Sequence, residues 1–390
     1  MKTAGLTFTV ALFGLVTVGA AFDSQSASPR SASLAQDKQA APPATAKPAT
    51  AKPLGSGLRR TLDGHPDMQG NWTNATITPL ERMRPNTPLV LTEEAAKLDE
   101  SNTQAALDAR EAPSKPDREA PPVGGEVRKS PNAEPTYLEL LWRAGGGAVG
   151  GYNSFWIDPG DKVLRVDGQP RSSILIDPPN GRVPGYTDAT RARLSKAAEI
   201  RKSQGSEFDH PEQRPLGERC ITSFGNNAGP PMLPNYFYNN SYTIVQSKDT
   251  IVILTEMVHD ARIIRMNGTH PPAGLRKWYG DSIGRWEADT LVIETTNFHP
   301  MNAFRNSWEH LKVTERLSIK DAKTINYRWT VEDPTTFTLP FTGELVFNAM
   351  APGEMVYEYA CHEANYGLEG VMSGARSQER EAAKKKTQQQ

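Results

Sequence analysis

The feature that most limits what this chain can fold into is an unbroken succession of short, β-rich runs between Ser241 and His362. Tyr242–Gln246, Ile251–Met257, Ala261–Met266, Gly284–Glu287, Thr290–Thr295, Val313–Ile319, Ile325–Val331, Thr342–Phe347 and Met355–Cys361 are each bounded by Asn, Gly, Asp or Pro. Alternating apolar and polar residues between turn formers predict half-buried strands. The connections read as too short for crossover helices, which predicts antiparallel neighbours throughout. Nine such strands, many half polar, favour a barrel or a strongly curled sheet over a flat one. No repeat of fixed period accompanies them.

Upstream, the pattern is mixed. Thr92 followed by Glu93 and Glu94 opens a helical run to Glu111, with a capping hydroxyl and acids in the first turn. A second helix is expected over Asp188–Lys202. Pro113–Pro135 reads as a surface loop. Phe155–Ile157, Val163–Val166 and Ser173–Ile176 read as short strands separated by Asp158-Pro159-Gly160 and Asp167-Gly168. Arg59–Thr73 reads as a polar arm anchored by Trp72. The expected fold is mainly β: an antiparallel curled sheet or β-barrel, calycin-like in outline, with a few peripheral helices.

The ends predict export. Met1-Lys2, an apolar run from Leu6 to Val18 and the small residues Gly19, Ala20 and Ala21 describe a secretory signal peptide over 1–20. The alternative is an uncleaved anchor. Residues 21–58, rich in Ala, Pro, Ser and Thr, have too little apolar surface to offset the entropy of ordering and read as a spacer. Residues 377–390 read as a loose, charged tail, leaving 59–376 as one β-rich domain. A periplasmic or secreted location follows, with no stable membrane insertion after cleavage. In an oxidising compartment Cys220 and Cys361, the only two cysteines, are more readily a disulfide than a metal site. On the chain-entropy account such a bridge contributes about 4 kcal/mol.

A formal net charge of −1 with scattered Lys and Arg argues against a nucleic-acid partner, which needs a concentrated basic face. No Gly-x-Ser-x-Gly elbow is present, and Gly145-Gly146-Gly147 is not followed by a Lys and a helix, so neither a serine triad nor a nucleotide cofactor is expected. No cofactor is assigned. His259, His310 and His362 with a Glu form a competent divalent-metal ligand set only if the fold gathers them, because no local His spacing does so.

Three groupings carry candidate chemistry. In Glu256-Met257-Val258-His259-Asp260-Ala261-Arg262, His259 is a candidate acid or base, and Arg262 and Asp260 are candidate substrate contacts. If the segment is extended, His259 and Asp260 project to opposite faces. In the second, Trp278–Thr290, Asp281 and Trp286 are candidate substrate contacts, Arg285 stacks on Trp286, and Asp289 is a turn residue. In the third, Glu358–Tyr366, His362 with Glu363 and Tyr366 is a candidate acid–base set beside Cys361, and Asn365 a substrate contact. Each grouping has a structural reading as well: a satisfied polar network at a barrel rim, or a knot that closes the barrel. Aromatics beside polar groups suit a sugar or phenolic ligand.

The chain resembles a family of exported β-rich bacterial proteins. The resemblance rests on Asp63-Gly64-His65-Pro66-Asp67 with Gly70-Asn71-Trp72, on Asp177-Pro178-Pro179-Asn180-Gly181-Arg182, on Met257-Val258-His259-Asp260-Ala261-Arg262-Ile263, on Gly284-Arg285-Trp286-Glu287 with Asp289-Thr290-Leu291-Val292, and on Tyr359-Ala360-Cys361-His362-Glu363. It implies a secreted β-rich fold and brings no catalytic residues with it.

The resulting expectation is an extracytoplasmic enzyme acting on a small polar-aromatic or carbohydrate substrate in a barrel pocket by a lyase, isomerase or hydrolase step. His259 and His362 do the acid–base work, Glu256, Glu363 and Tyr366 assist, and Arg262 holds an oxygen. The alternatives are a non-catalytic small-molecule-binding barrel and a structural envelope protein. The expectation requires the two imidazoles to share one water-accessible hollow.

Overall fold

The structure, a computed structural model, describes residues 58–84, 86–111, 159–203, 205–224, 227–234, 238–363 and 365–388. The expected leader, nearly all of the spacer, the Pro113–Pro135 loop and the Phe155–Ile157 run lie outside the described residues.

Twelve strands and three α-helices are found among them. In chain order they are β1 (Gly70–Thr73), α1 (Glu93–Glu111), β2 (Arg165–Val166), β3 (Gln169–Pro170), β4 (Leu175–Asp177), α2 (Asp188–Ser203), β5 (Ser241–Gln246), β6 (Thr250–Thr255), β7 (Ala261–Met266), β8 (Asp281–Glu287), β9 (Thr290–Thr296), β10 (Lys312–Asp321), β11 (Thr324–Glu332), β12 (Phe341–Ala349) and α3 (Tyr366–Gln388). The two predicted helices form where their caps stand: Thr92 Oγ1 accepts from the Ala95 amide at 3.2 Å, and Thr187 Oγ1 accepts from the Thr190 amide at 3.2 Å.

Strands β5 to β12 follow one another around a sheet that β1 closes, pairing with β5 on one side and β12 on the other. The result is a closed nine-stranded barrel, with the short β4 pairing with the other end of the β12 edge that β1 uses. Trp72 is buried as expected of an anchor, but it sits in this closing strand, opposite Tyr242 and Ala349, rather than in a docked arm. Closure leaves none of these nine strands with an unpaired edge to protect.

Two expectations about the strands fail. Eight of the barrel's pairings are antiparallel, but β7 and β8 run parallel, with Ile264 opposite Ser282 and Met266 opposite Gly284. A parallel step needs a connection of about a dozen residues or more, and the loop from Asn267 to Gly280 is long enough to run back along the barrel without a helix. The run Met355–Cys361 is not a strand; it is irregular chain whose Tyr359 packs against Tyr238, Met257 and Val258. Residues 378–388, expected to be loose, continue α3, which buries no residue and is supported by pairs such as Arg376 with Glu379 at 2.6 Å.

The alternation read from the sequence sets the interior. On β11, Ile325, Tyr327, Trp329 and Val331 face inward and the residues between them do not. Trp329, Tyr242, Tyr327, Phe341 and Phe347 are among the largest fully buried side chains, each worth about 1.5–3 kcal/mol of burial. They pack edge to face, as in Tyr242–Phe347 at 5.2 Å and Trp329–Phe341 at 6.0 Å. Gly343, opposite Trp329 on β12, is obligatory: a Cβ there would collide with the indole. These rings fill the interior with side chains.

Candidate active site at one end of the barrel

The link from β6 to β7 is where the sequence placed its first candidate group, and it is not extended. Glu256 adopts the αR conformation, Met257–His259 form a 3-10 turn, and Val258 and His259 take positive φ of 59° and 44°. The face assignment drawn for a strand therefore does not apply here. The turn is held from below by a small apolar cluster of Tyr238, Met257 and Val258, with Tyr359 packed against it.

His259 is exposed, and its Nδ1 lies 3.1 Å from the Tyr359 carbonyl oxygen. Because a carbonyl can only accept, Nδ1 carries the proton and Nε2 of the neutral ring is left with a lone pair. This contact also joins the β6–β7 turn to a segment one hundred residues further on.

Asp260 is half-buried and accepts a short hydrogen bond from Tyr279 Oη. Burial pushes the Asp260 carboxyl up from the ordinary range, against the pull of the Tyr279 hydroxyl and of His259. Burial and the Asp260 charge push the Tyr279 phenol up in turn, and the Ser223 backbone and Thr222 side chain also bond to it. Tyr279 reaches Asp260 because of the parallel step: with Ile264 opposite Ser282, the residues just before β8 lie level with the start of β7. A carboxyl lifted by burial, a phenol that donates to it and a neighbouring imidazole with a free lone pair form an acid–base set.

The remaining expected residues divide. His362 and Glu363 are exposed, as is Tyr366 at 77 %, and no side-chain partner is found for any of them among the described residues. Glu256 is half-buried, and its backbone amide bonds to the Ser241 carbonyl. Asn365 is structural: its Oδ1 accepts from the Leu368 amide at 3.3 Å at the start of α3, and its Nδ2 donates to the Glu218 carbonyl at 2.8 Å. The bridge Cys220–Cys361 forms and ties the two segments together beside it.

Arg262 cannot hold a substrate oxygen. It points into the barrel, where its Nη1 donates to Glu315 Oε1 at 2.9 Å and its Nη2 bonds to Glu315 Oε2. Nε donates to Ser282 Oγ at 3.0 Å and Nη2 to Thr295 Oγ1 at 3.0 Å. Tyr327 Oη donates to the same Glu315 carboxylate at 2.8 Å and accepts from the Met232 amide at 2.9 Å. The pair is sealed and satisfied within the packed core. Trp286 is half-buried and stacks on His65, with ring centroids 4.7 Å apart, while Arg285 pairs with Glu287 at 2.8 Å instead of with Trp286. Asp289 receives Arg60 in a two-pronged ion pair at 2.7 and 2.6 Å.

Asp281, 1 % exposed, accepts from Lys277 Nζ at 2.8 Å, His270 Nδ1 at 3.0 Å and Arg265 Nη2 at 2.6 Å. It is a clamp on the β7–β8 loop, since His270 and Lys277 both belong to that loop. Burial works against its charge, but the three donors prevail and hold its carboxyl below the ordinary value. With the folded value below the unfolded one, the stabilisation is full above about pH 4 and is lost as pH falls through the folded value. Asp281→Asn is expected to lower stability by about 1–3 kcal/mol at neutral pH, and to flatten the acid limb of stability against pH in urea titrations. An unchanged acid limb would refute the clamp.

Three residues that matter are scarcely marked in the sequence. Glu315 carries a signal, a carboxylate at an inward position between Val313 and Leu317. Tyr279 and His270 carry none, since their roles depend on where the parallel loop runs. Among the described residues no three His, Cys, Asp or Glu side chains gather into a metal-holding group, so His259, His310 and His362 do not converge. No helix among them is long and apolar enough to cross a membrane. Comparison with known proteins finds no matching family model, no matching curated protein and no matching solved structure.

Proposed function

We propose that the protein is an extracytoplasmic enzyme that performs acid–base chemistry on a small polar-aromatic or carbohydrate-type substrate, in a lyase, isomerase or hydrolase step at the barrel end. The observation that carries this reading is the Asp260–Tyr279 pair: a half-buried carboxyl whose hydrogen-bond partner is a phenol rather than a cation, next to His259. Asp260 takes or gives the proton, Tyr279 steadies its charged form, and Nε2 of His259 serves a second proton position. Exposed Phe224, next in sequence to Ser223, offers a flat face suited to a ring-shaped substrate, and Trp278, next to Tyr279, is partly exposed with its ring packed against His299 at 4.2 Å. His362, which stands exposed, has no part in this chemistry. A disulfide and the apolar N-terminal run support a periplasmic or secreted location.

The test is turnover of sugar and phenolic substrates by the full mature chain. Asp260→Asn is expected to lose about 10²-fold or more, His259→Gln to lose activity in part, and His362→Gln to keep it. If Asp260 acts as a base it must be ionised, so the rate falls on acidification through a value above the usual carboxylate range. Tyr279→Phe removes a contact that lowers that value and is expected to shift the acid limb upward. Full turnover in Asp260→Asn would end the proposal.

A further inference from the structure

Strands β7 and β8 run parallel, so the loop that joins them has to return along the barrel and be fixed to the wall it crosses. His270 lies near its start, and Tyr279 near its end meets Asp260. Arg265, Ile283 and Glu294 stand side by side on β7, β8 and β9. They are on the outer face, since Ser282 and Thr295 beside them point inward to Arg262.

The His270 imidazole lies between two carboxylates borne by different strands. Its Nδ1 is 3.0 Å from Asp281 Oδ2 on β8, and its Nε2 is 3.5 Å from Glu294 Oε1 on β9. The side chain is 19 % exposed, and Nε2 is buried without a hydrogen-bond partner among the described residues. Cations surround the same two acids. Arg265 on β7 and Lys277 in the loop reach Asp281 at 2.6 and 2.8 Å, and Lys312 on β10 reaches Glu294 at 3.4 Å and Glu332 on β11 at 3.6 Å.

A carboxylate only accepts hydrogen bonds, so a ring nitrogen that faces one needs a proton of its own. Neutral imidazole has a single N–H, and with that proton on Nδ1 toward Asp281 it turns the Nε2 lone pair at Glu294. Moving the proton to Nε2 shifts the mismatch to Asp281. Imidazolium alone matches both sides, with two charge-assisted contacts. The two ends are unequal, because Asp281 keeps Arg265 and Lys277 in either state. The contact that depends on the charge of the ring is the one to Glu294, whose other partner, Lys312, is 42 % exposed and shared with Glu332.

We propose that His270 is a pH-sensitive latch: as imidazolium it bridges Asp281 and Glu294 and pins the β7–β8 loop to the barrel wall, and on losing its proton it releases Glu294. The latched state binds a proton that the released state lacks, so its stabilisation is present at acid pH and is lost as pH rises through the titration of the ring. The latch goes beyond the acid–base reading of the barrel end and does not depend on it. The loop delivers Tyr279 to Asp260, but the latch is read in the loop itself.

The experiment is amide exchange of the full mature chain at about pH 5.5 and about pH 8, on either side of the range in which imidazoles change charge, with rates corrected for intrinsic chemistry. The ring nitrogens of His270 are followed by NMR in the same samples. Protection over residues 267–280 is expected to fall about threefold or more from the acid to the alkaline sample, while β10–β12 hold theirs. His270→Gln is expected to show the released level at both values. Glu294→Gln keeps the imidazole but removes the acceptor that depends on its charge, and is expected to shrink the response although the ring still titrates. The proposal is overturned if the parent loop is equally protected at both values, or if Nε2 of His270 carries no proton in the acid sample. It is equally overturned if either variant, folded by circular dichroism, keeps the full response of the parent.

Discussion

Glu315→Gln is expected to lower the unfolding free energy by about 3–5 kcal/mol, because it strands a buried cation. The substitution keeps the shape of the side chain but removes the negative charge that faces Arg262, whose side chain is 3 % exposed while that of Glu315 is 0 %. Arg262 then keeps its hydrogen bonds to Ser282 and Thr295 but has no counter-ion within the barrel, and the Tyr327 hydroxyl loses its charged acceptor. The double replacement Arg262→Met with Glu315→Leu removes both charges together, and is expected to lie near the parent in stability or above it. Urea unfolding followed by circular dichroism measures both. A loss below about 1 kcal/mol in Glu315→Gln would mean that water reaches the pair and that the barrel interior is not sealed as described.

The second large effect is expected from the bridge. Cys220 and Cys361 close a loop with a sequence separation of 141, and opening it by reduction or by the double Ser variant should remove about 5 kcal/mol of stability on the chain-entropy account. For a chain of this size that corresponds to a melting point lower by about 8 °C. The loss has a local part as well. Residues 355–363 lie in no strand of the barrel, and beyond the disulfide their attachments include the His259–Tyr359 contact and, just past them, Asn365 on Glu218. Amide exchange is therefore expected to quicken across this segment and the β6–β7 turn before it quickens in β10–β12. Because Tyr359 fixes the tautomer of His259, activity should fall on reduction even below the melting point. Exchange that rises evenly over the whole barrel would show that the bridge steadies the fold and not the barrel end.

Much of the fold was legible from period alone. A strand that alternates as β11 does must bury Ile325, Tyr327, Trp329 and Val331 together, whatever lies beside it; the same period places Glu315 of β10 inward, a signal the sequence reading did not take up. The Thr92 cap of α1 was equally readable, since a capping hydroxyl acts on an amide three residues away, whereas α2 is capped by Thr187, which the sequence reading did not single out. The site was less so. Of the expected residues, His259 and Asp260 remain at the barrel end, Arg262 turned inward, and His362, Glu363 and Tyr366 stand exposed. The assignment of faces failed at Glu256–Asp260 because positive φ at Val258 and His259 breaks the two-residue period on which it depended.

Alternation, turn residues and capping groups by themselves determined that this chain is mostly β, which side chains its longer strands bury, and where two of its helices begin. Those are local properties, set by sterics and hydrogen bonds within a few residues of the chain. Tertiary structure alone decided that Gly70–Thr73 closes the barrel, that β7 and β8 run parallel, and hence that Tyr279 meets Asp260 and that Asp281 gathers Arg265, His270 and Lys277. A two-residue period states which face of a strand is buried but carries no information about which strand lies next to it or in which direction. Pairing between distant segments is settled only when the whole sheet closes on itself.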